Sequence, residues 1–176
     1  PIIKYYVTTE NLSQAPAATA SDWGTSYAAV HAGTHYVWAM TAGNGDINAV
    51  STKVSKQIKK ATATLTVTAN SSTLTYNGSS QSLLSGAATL KIGSTNVTSA
   101  TDDKLKACSI QYYVSTSQTS ATGGSWGTSY SAKNAGTYYV WVKVTGNGDI
   151  NDITAAYKVS KGIARASGWL SLNKPD

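Results

Sequence analysis

Trp126-Gly-Thr-Ser-Tyr130, Asn134-Ala-Gly-Thr-Tyr-Tyr-Val-Trp141 and Gly146-Asn-Gly-Asp-Ile-Asn151 follow one another in the last third of the chain. The same stretch stands earlier as Trp23-Gly-Thr-Ser-Tyr27, His31-Ala-Gly-Thr-His-Tyr-Val-Trp38 and Gly43-Asn-Gly-Asp-Ile-Asn48, at a constant offset of 103 residues. Compared position by position, 18 of the 26 residues are identical, which makes this a duplication. A long repeat period decides architecture before any local motif does. Around Trp141 every second residue is a valine, at 140, 142 and 144, with Trp141 and Lys143 between them, so the two sides of an extended chain differ in character as in a strand. The duplicated element is therefore a β-module.

The pattern extends outward on both sides. Ile110-Gln-Tyr-Tyr-Val114 repeats Ile3-Lys-Tyr-Tyr-Val7 at offset 107, so the loop between this strand and the Trp is four residues shorter in the second copy. Length variation of that kind belongs to surface connections. Residues 8–22 read as a polar loop, and 34–41 as a strand. A further strand ends near Ser55. Residues 61–69 alternate, which predicts a strand with one polar face. Residues 76–79, Tyr-Asn-Gly-Ser, carry the Asn-Gly signature of a hairpin. One or two short strands are expected within 81–92, and a loop at 101–103. Residues 163–172 resemble 58–67 at offset 105. The expected frame is the second half of a preceding module over 1–57, one complete module over 58–162, and the first strand of a following module over 163–176. The start at Pro1 without Met reads as a piece of a longer protein.

Short strands separated by turn signals predict an all-β sandwich or barrel. The chain is rich in Ser and Thr, and these together with its Val, Tyr and Trp suit a pleated surface. The string Asn134-x-Gly-x-Tyr-x-Val140 resembles the Asp-x-Gly-x-Tyr-x-Cys string of immunoglobulin strand F and its tyrosine corner. Val140 stands where the cysteine would be. His31 and His35 replace the Asn and the corner Tyr in the first copy, so a literal tyrosine corner is not expected there. The wider run from Ala135 to Asn147, ending in Tyr157-Lys-Val-Ser-Lys161, resembles the repeat modules of bacterial surface and adhesin proteins, of the bacterial Ig-like and MBG types. The resemblance implies tandem antiparallel Ig-like sandwich modules, with β-grasp-like modules as the alternative. It also implies an extracellular protein, attached to the cell surface or secreted, with a stalk or adhesive role. A carbohydrate-binding accessory module of a secreted enzyme is the alternative function. The implied partners are neighbouring repeats, a glycan or a host surface protein.

Composition narrows the classes. The chain is 12% charged and contains 11 Tyr, 5 Trp and no Phe. Its net charge of +6 is scattered, with one denser run at Lys53, Lys56, Lys59 and Lys60. A nucleic-acid binder concentrates its cations on one face. The run is expected to be a solvated seam and edge strand, kept from aggregating by lysine; its partial counterpart is Lys158, Lys161 and Arg165. Nucleic acid is accordingly not an expected partner. No stretch approaches the ~20 apolar residues of a membrane span. With Cys108 alone, no disulfide forms within one chain.

Candidate chemistry does not survive comparison of the copies. His31 and His35, in extended chain, stand about 13 Å apart, too far to share a metal, and their counterparts are Asn134 and Tyr138. Glu10 has no carboxylate near it in sequence. Cys108 has no neighbouring His and is expected to be a small buried residue. Gly43-Asn-Gly-Asp46 and Gly146-Asn-Gly-Asp149 lack the strand-then-helix setting of a phosphate cradle. Asp149, Asn151 and Asp152 could donate oxygens to Ca²⁺, but Ala49 replaces Asp152 in the first copy, and a turn is expected instead. No catalytic residue, metal or cofactor is predicted, and the chain is not expected to be an enzyme.

The aromatics are the remaining signal. Alternation places Tyr138, Val140, Val142 and Val144 on one face, and Tyr139, Trp141 and Lys143 on the other. Tyr113 joins the second face. In the first copy Tyr6, Tyr36 and Trp38 do the same. Two outcomes are open. Tyr6, Tyr36, Trp38, Tyr113, Tyr139 and Trp141 form an exposed binding patch, or Trp23, Tyr27, Trp126 and Tyr130 fold over them as a second layer. The half module over 1–57 raises a further expectation. Its apolar alternation has no first half before it, and three solutions are open: packing against 58–107, completion by strands of another chain through strand addition or exchange, or a small β unit sufficient in itself.

Overall fold

The computed structural model describes residues 2–44, 46–98 and 108–168, and the side chains among them except those of 155–157. Gly45 of the first Gly-Asn-Gly-Asp turn, the expected loop at 101–103 and the last residues of the expected strand 163–172 lie outside that set. The described residues are all β, with no helix among them. The chain divides into two compact units.

The first unit comprises Pro1–Thr62 together with Gly148–Ile150. It is a three-stranded antiparallel sheet of β1 (Ile3–Thr8), β2 (Gly33–Thr41) and β3 (Val50–Ile58), in that order. The third strand runs to Ile58, beyond the Ser55 expected from sequence, because its register with β2 continues to Gly33↔Ile58. One rung reads Tyr6↔Trp38↔Lys53 across the sheet. Since side chains alternate, Tyr6, Trp38 and Lys53 share one face, and Tyr5, Val37 and Val54 share the other. Ala61 pairs in parallel with Ile150, and the Ala61 N–H donates to the Asp149 carbonyl at 2.8 Å.

The second unit comprises Ala63–Asn147 and Asn151–Asp176. Its short strands are β4 (Thr64–Thr66), β5 (Leu74–Thr75), β6 (Gln81–Ser82), β7 (Thr89–Ile92) and β8 (Thr95–Asn96). Then follow β9 (Ser109–Ser115), β10 (Ser131–Ala132), β11 (Gly136–Thr145) and β12 (Ile153–Ala164). The main sheet has the order β5-β12-β11-β9. Within it, β9, β11 and β12 repeat β1, β2 and β3, and the rung Tyr113↔Trp141↔Lys158 repeats the aromatic rung of the first unit. A second sheet, β4-β7-β8, and a two-stranded pair, β10-β6, complete the unit.

The core of the second unit brings the two sequence halves together. Val140 and Val142 are 0% exposed, as are Leu83 and Leu90 from the first half. Leu65, Leu84, Val97 and Tyr112 are also buried. Polar ties reinforce the contact: the Ala88 N–H donates to the Tyr112 hydroxyl at 2.7 Å, and the Leu83 N–H donates to the Tyr130 carbonyl at 3.1 Å. A backbone N–H with a partner carries no burial penalty, which is why these donors tolerate an apolar setting.

Two local expectations change. Alternation over 61–69 is visible as buried Ala63 and Leu65 beside exposed Thr62, Thr64 and Thr66, yet only Thr64–Thr66 forms a ladder strand, since β7 offers pairing over three residues. The Asn77-Gly78 turn forms, with Gly78 at φ +77° and the Asn77 Oδ1 accepting the Ser79 N–H at 2.9 Å. It does not join a hairpin. Its flanking strands β5 and β6 pair with β12 and β10 instead, so the turn redirects the chain from one sheet to another.

Candidate functional site

Each unit carries an aromatic and lysine cluster on the sheet face opposite its valines. In the first unit the loop after β1 returns Trp23 to the face, where its ring lies 5.6 Å from that of Tyr6. The Trp23 indole N–H donates to the Ala17 carbonyl at 2.9 Å, which ties the ring to its own loop. The Lys53 ammonium lies 5.5 Å from the Tyr36 ring centre and 5.2 Å from that of Trp38. It also donates to the Asn11 Oδ1 at 2.8 Å and to the Leu12 carbonyl at 2.7 Å. A cation over a ring face is attracted by the ring's quadrupole. Lys53 therefore joins three parts of the unit: β3, the aromatic pair on β2 and the loop after β1.

The second unit builds the same cluster from equivalent positions. Trp126 lies 5.9 Å from Tyr113. The Lys158 ammonium lies 5.5 Å from Tyr139 and 5.1 Å from Trp141, and donates to the Gln118 carbonyl at 2.7 Å. Lys143 adds a further cation 4.7 Å from the Trp126 ring.

The six aromatics singled out from sequence thus fall into two clusters of three, one per unit. Trp23 and Trp38 are buried, while Tyr6, Tyr36, Tyr113, Tyr139, Trp126 and Trp141 are partly exposed. The indole Nε1 atoms of Trp38 and Trp141 are buried and have no hydrogen-bond partner among the described residues. Beside the second cluster lies a groove of about 530 Å³, lined by Thr119–Gly123, Trp126, Trp141, Lys143 and Thr154. The first unit has a groove of about 490 Å³ in a different place, against the turn at Gly43, Asn44 and Ile47, with Ile2, Lys4 and Met40 in its lining and neither Trp23 nor Trp38. Met40, where the second copy has Lys143, is a lining position the two grooves share.

Lys53 corrects the expectation of a uniformly solvated lysine run. Lys56, Lys59 and Lys60 are exposed, but Lys53 is half-buried within the cluster. Its alignment with Lys158 at offset 105 was the available signal, since both point to the aromatic side of the third strand. Lys161 is likewise engaged, donating to the Ser72 carbonyl at 2.7 Å.

The histidines have structural partners. The Tyr138 hydroxyl donates to the Asn134 carbonyl, four residues back in the chain, at 2.9 Å and so closes the turn before β11. In the first unit an equivalent bond closes the same turn. The His35 Nε2–H, in the place of the Tyr hydroxyl, donates to the His31 carbonyl at 2.8 Å. Imidazole and phenol present a donor at similar reach, so either closes the turn. The His31 Nδ1 lies 2.8 Å from the Asp149 Oδ2, and the Ala32 N–H donates to the Asp149 Oδ1. These bonds, that to His31 foremost, hold the Asp149 carboxyl below its ordinary value.

The remaining reactive groups are similarly occupied. Burial pushes the Cys108 thiol up from its ordinary value, which disfavours the thiolate a nucleophile needs. The Asp152 Oδ1 accepts the Gly146 N–H at 2.7 Å, and the Asn44 Oδ1 accepts the N–H groups of Asp46 and Ile47. The first Gly-Asn-Gly-Asp loop is thus capped by its own Asn44, and the second by Asp152 just beyond it, with its Asp149 bonded to His31 and Ala32. Among the described residues, no three His, Cys, Asp or Glu side chains converge. No helix among them is long and apolar enough to cross a membrane.

No protein-family model, curated protein or solved structure matches this chain.

Proposed function

We propose that this chain is a non-enzymatic structural and adhesive repeat module of a bacterial extracellular surface protein, built of tandem Ig-like units. One observation carries the proposal. The aromatic and lysine cluster recurs in both units from equivalent residues, whereas the polar groups that could carry chemistry differ between them. His35 becomes Tyr138, and Met40 becomes Lys143. Duplication with this pattern preserves how the building block holds together. The lysine bonds from β3 and β12 to the preceding loops support the same role, because a loop stitched to the sheet resists being pulled away.

The adhesive part is tested with beads coated with the chain and washed over matrix proteins and immobilised glycans. Retention on one of these surfaces is expected. Turnover of a substrate in a broad hydrolase and transferase screen, with no retention anywhere, would overturn the proposal.

A carbohydrate-binding accessory module is the second reading, favoured by the groove at Trp126, Trp141 and Lys143. Partly exposed indoles offer apolar faces for sugar rings, and a lysine at the rim offers donors to hydroxyls. Replacing Trp141 by Ala separates the two. Loss of glycan retention with the fold kept supports the sugar site. Loss of folding assigns the indole to packing.

A further inference from the structure

The valine-bearing face of the first unit is open where its counterpart in the second unit is covered. Val140 and Val142 are 0% exposed, but their counterparts Val37 and Ala39 are partly exposed. On the same face Ile3 is 49%, Val54 62% and Tyr27 66% exposed. The equivalent of Tyr27, Tyr130, is only partly exposed and makes the same edge-to-face contact, Tyr112–Tyr130 at 4.9 Å against Tyr5–Tyr27 at 5.1 Å. An apolar sheet face of this kind on a soluble chain marks an interaction surface.

The second unit shows what covers such a face. Residues 63–97 engage it at three separate places. Leu74 and Thr75 of β5 add a parallel strand to the edge of β12 at Ile163 and Ala164. Gln81 and Ser82 of β6 pair with β10 at Ala132 and Ser131. The Ala88 N–H meets the Tyr112 hydroxyl at 2.7 Å. Each place has a counterpart in the first unit: the β3 edge at Ile58 and Lys59, the segment Ala28–Ala29, and Tyr5. Among the described residues, β3 has no neighbour on its outer edge, and Ala28–Ala29 lie in no strand.

From this we infer that the open face of the first unit is a docking site for a polypeptide with the chemistry of residues 63–97. Such a segment carries leucines at the spacing of Leu65, Leu83, Leu84 and Leu90, is rich in Ser and Thr, and has Lys91 as its one charged residue. The inference rests on both units being copies of one module. The segment adds a parallel strand at Ile58, pairs with Ala28–Ala29, lays its leucines on Val37 and Val54, and offers a backbone N–H to Tyr5. Recognition is by strand addition, in which backbone bonds give affinity and alternate side chains give register. The seam lysines Lys56, Lys59 and Lys60 are also placed to keep the edge from pairing indiscriminately.

The test titrates the full chain with a fluorescently labelled peptide of residues 60–98, followed by anisotropy and by amide exchange. Saturable one-to-one binding is expected, with new protection at Ala29 and at Lys59, whose counterpart Ala164 is the residue of β12 bonded across to β5. Val54→Asp, at an exposed position that tolerates charge in the free chain, is expected to weaken binding by roughly tenfold or more. Ser55→Asp, on the other face of β3, is expected to leave it unchanged. Absence of saturable binding, binding that Val54→Asp does not weaken, or protection confined to the second unit would overturn the inference. So would a dimer of the chain in sedimentation that Val54→Asp dissolves, since the occupant would then be a second copy face to face. Bead retention does not depend on Val54, so this inference and the adhesive proposal fail separately.

Discussion

Lys53→Met asks whether a lysine can hold a loop on a sheet. Methionine keeps an unbranched apolar stem of similar reach, so packing along the aromatic face is largely retained. What is lost is the ammonium, with its bonds to Asn11 and Leu12 and its positions over Tyr36 and Trp38. A hydrogen bond from a charged group contributes about 1.5–3 kcal/mol. Each ring contact contributes about 0.5–1 kcal/mol near the surface. Asn11 is exposed and water competes for it, and the freed side chain regains up to about 2 kcal/mol of rotamer entropy. The net loss is about 2 kcal/mol, or close to a 30-fold rise in opening of the loop. The loop's own amides report it. The Leu12 N–H donates to the Glu10 carbonyl at 3.0 Å, and the Ala20 N–H to the Ala17 carbonyl at 2.9 Å. Residue-resolved amide exchange under native conditions should show both speeding up in the variant. Lys56→Met is the control, because Lys56 is exposed and a substitution there stays within about 0.5 kcal/mol. Exchange of Leu12 within twofold of the parent in Lys53→Met would refute the clamp and return Lys53 to the solvated edge.

Other consequences follow from the same geometry. His35→Phe removes the donor to the His31 carbonyl and should cost about 1 kcal/mol, while His35→Tyr, the residue the second copy uses, should stay within about 0.5 kcal/mol in urea unfolding. Asp149→Asn should lower the melting temperature at pH 6. A carboxyl held below its ordinary value of 3.8 stabilises the fold above that pH and loses the contribution as pH falls through its folded value, so the gap to the parent should close below about pH 3.8. Gly43→Ala would put a Cβ 2.6 Å from the Ile47 carbonyl oxygen and 2.7 Å from the Ala49 nitrogen. Because both obstacles are backbone, a loss of about 1–3 kcal/mol is expected, read by thermal unfolding.

The strands of the duplicated part were legible because their side chains alternate and their sequences recur. Ile3–Val7, Thr34–Thr41 and their second copies need no tertiary partner to be read as strands. The turn-closing bond before the second strand was legible in the second copy from Tyr138, but not in the first, where His35 supplies the donor. Its role emerges only once the turn places His31 within reach of its ring. The Asn77-Gly78 turn was likewise visible, whereas the pairing of β5 and β6 was not. A two-residue turn specifies a reversal, but which strand then pairs depends on edges contributed from far along the chain. Lys53 could not be told from Lys56 by composition, since both are lysines of the same strand. The face each occupies and the return of the 8–22 loop separate them.

By itself, then, the order of residues determines that the β stretch of 23–48 recurs at 126–151, where its long strands run and which side chains share a face, since all of this follows from recurrence and from alternation over neighbouring positions. Only the tertiary structure decides that the leucines of 63–97 close one valine face and leave its twin open, and that an ammonium secures each aromatic face. Those outcomes depend on contacts between residues far apart in the chain, where one segment can cover only one of two equivalent surfaces.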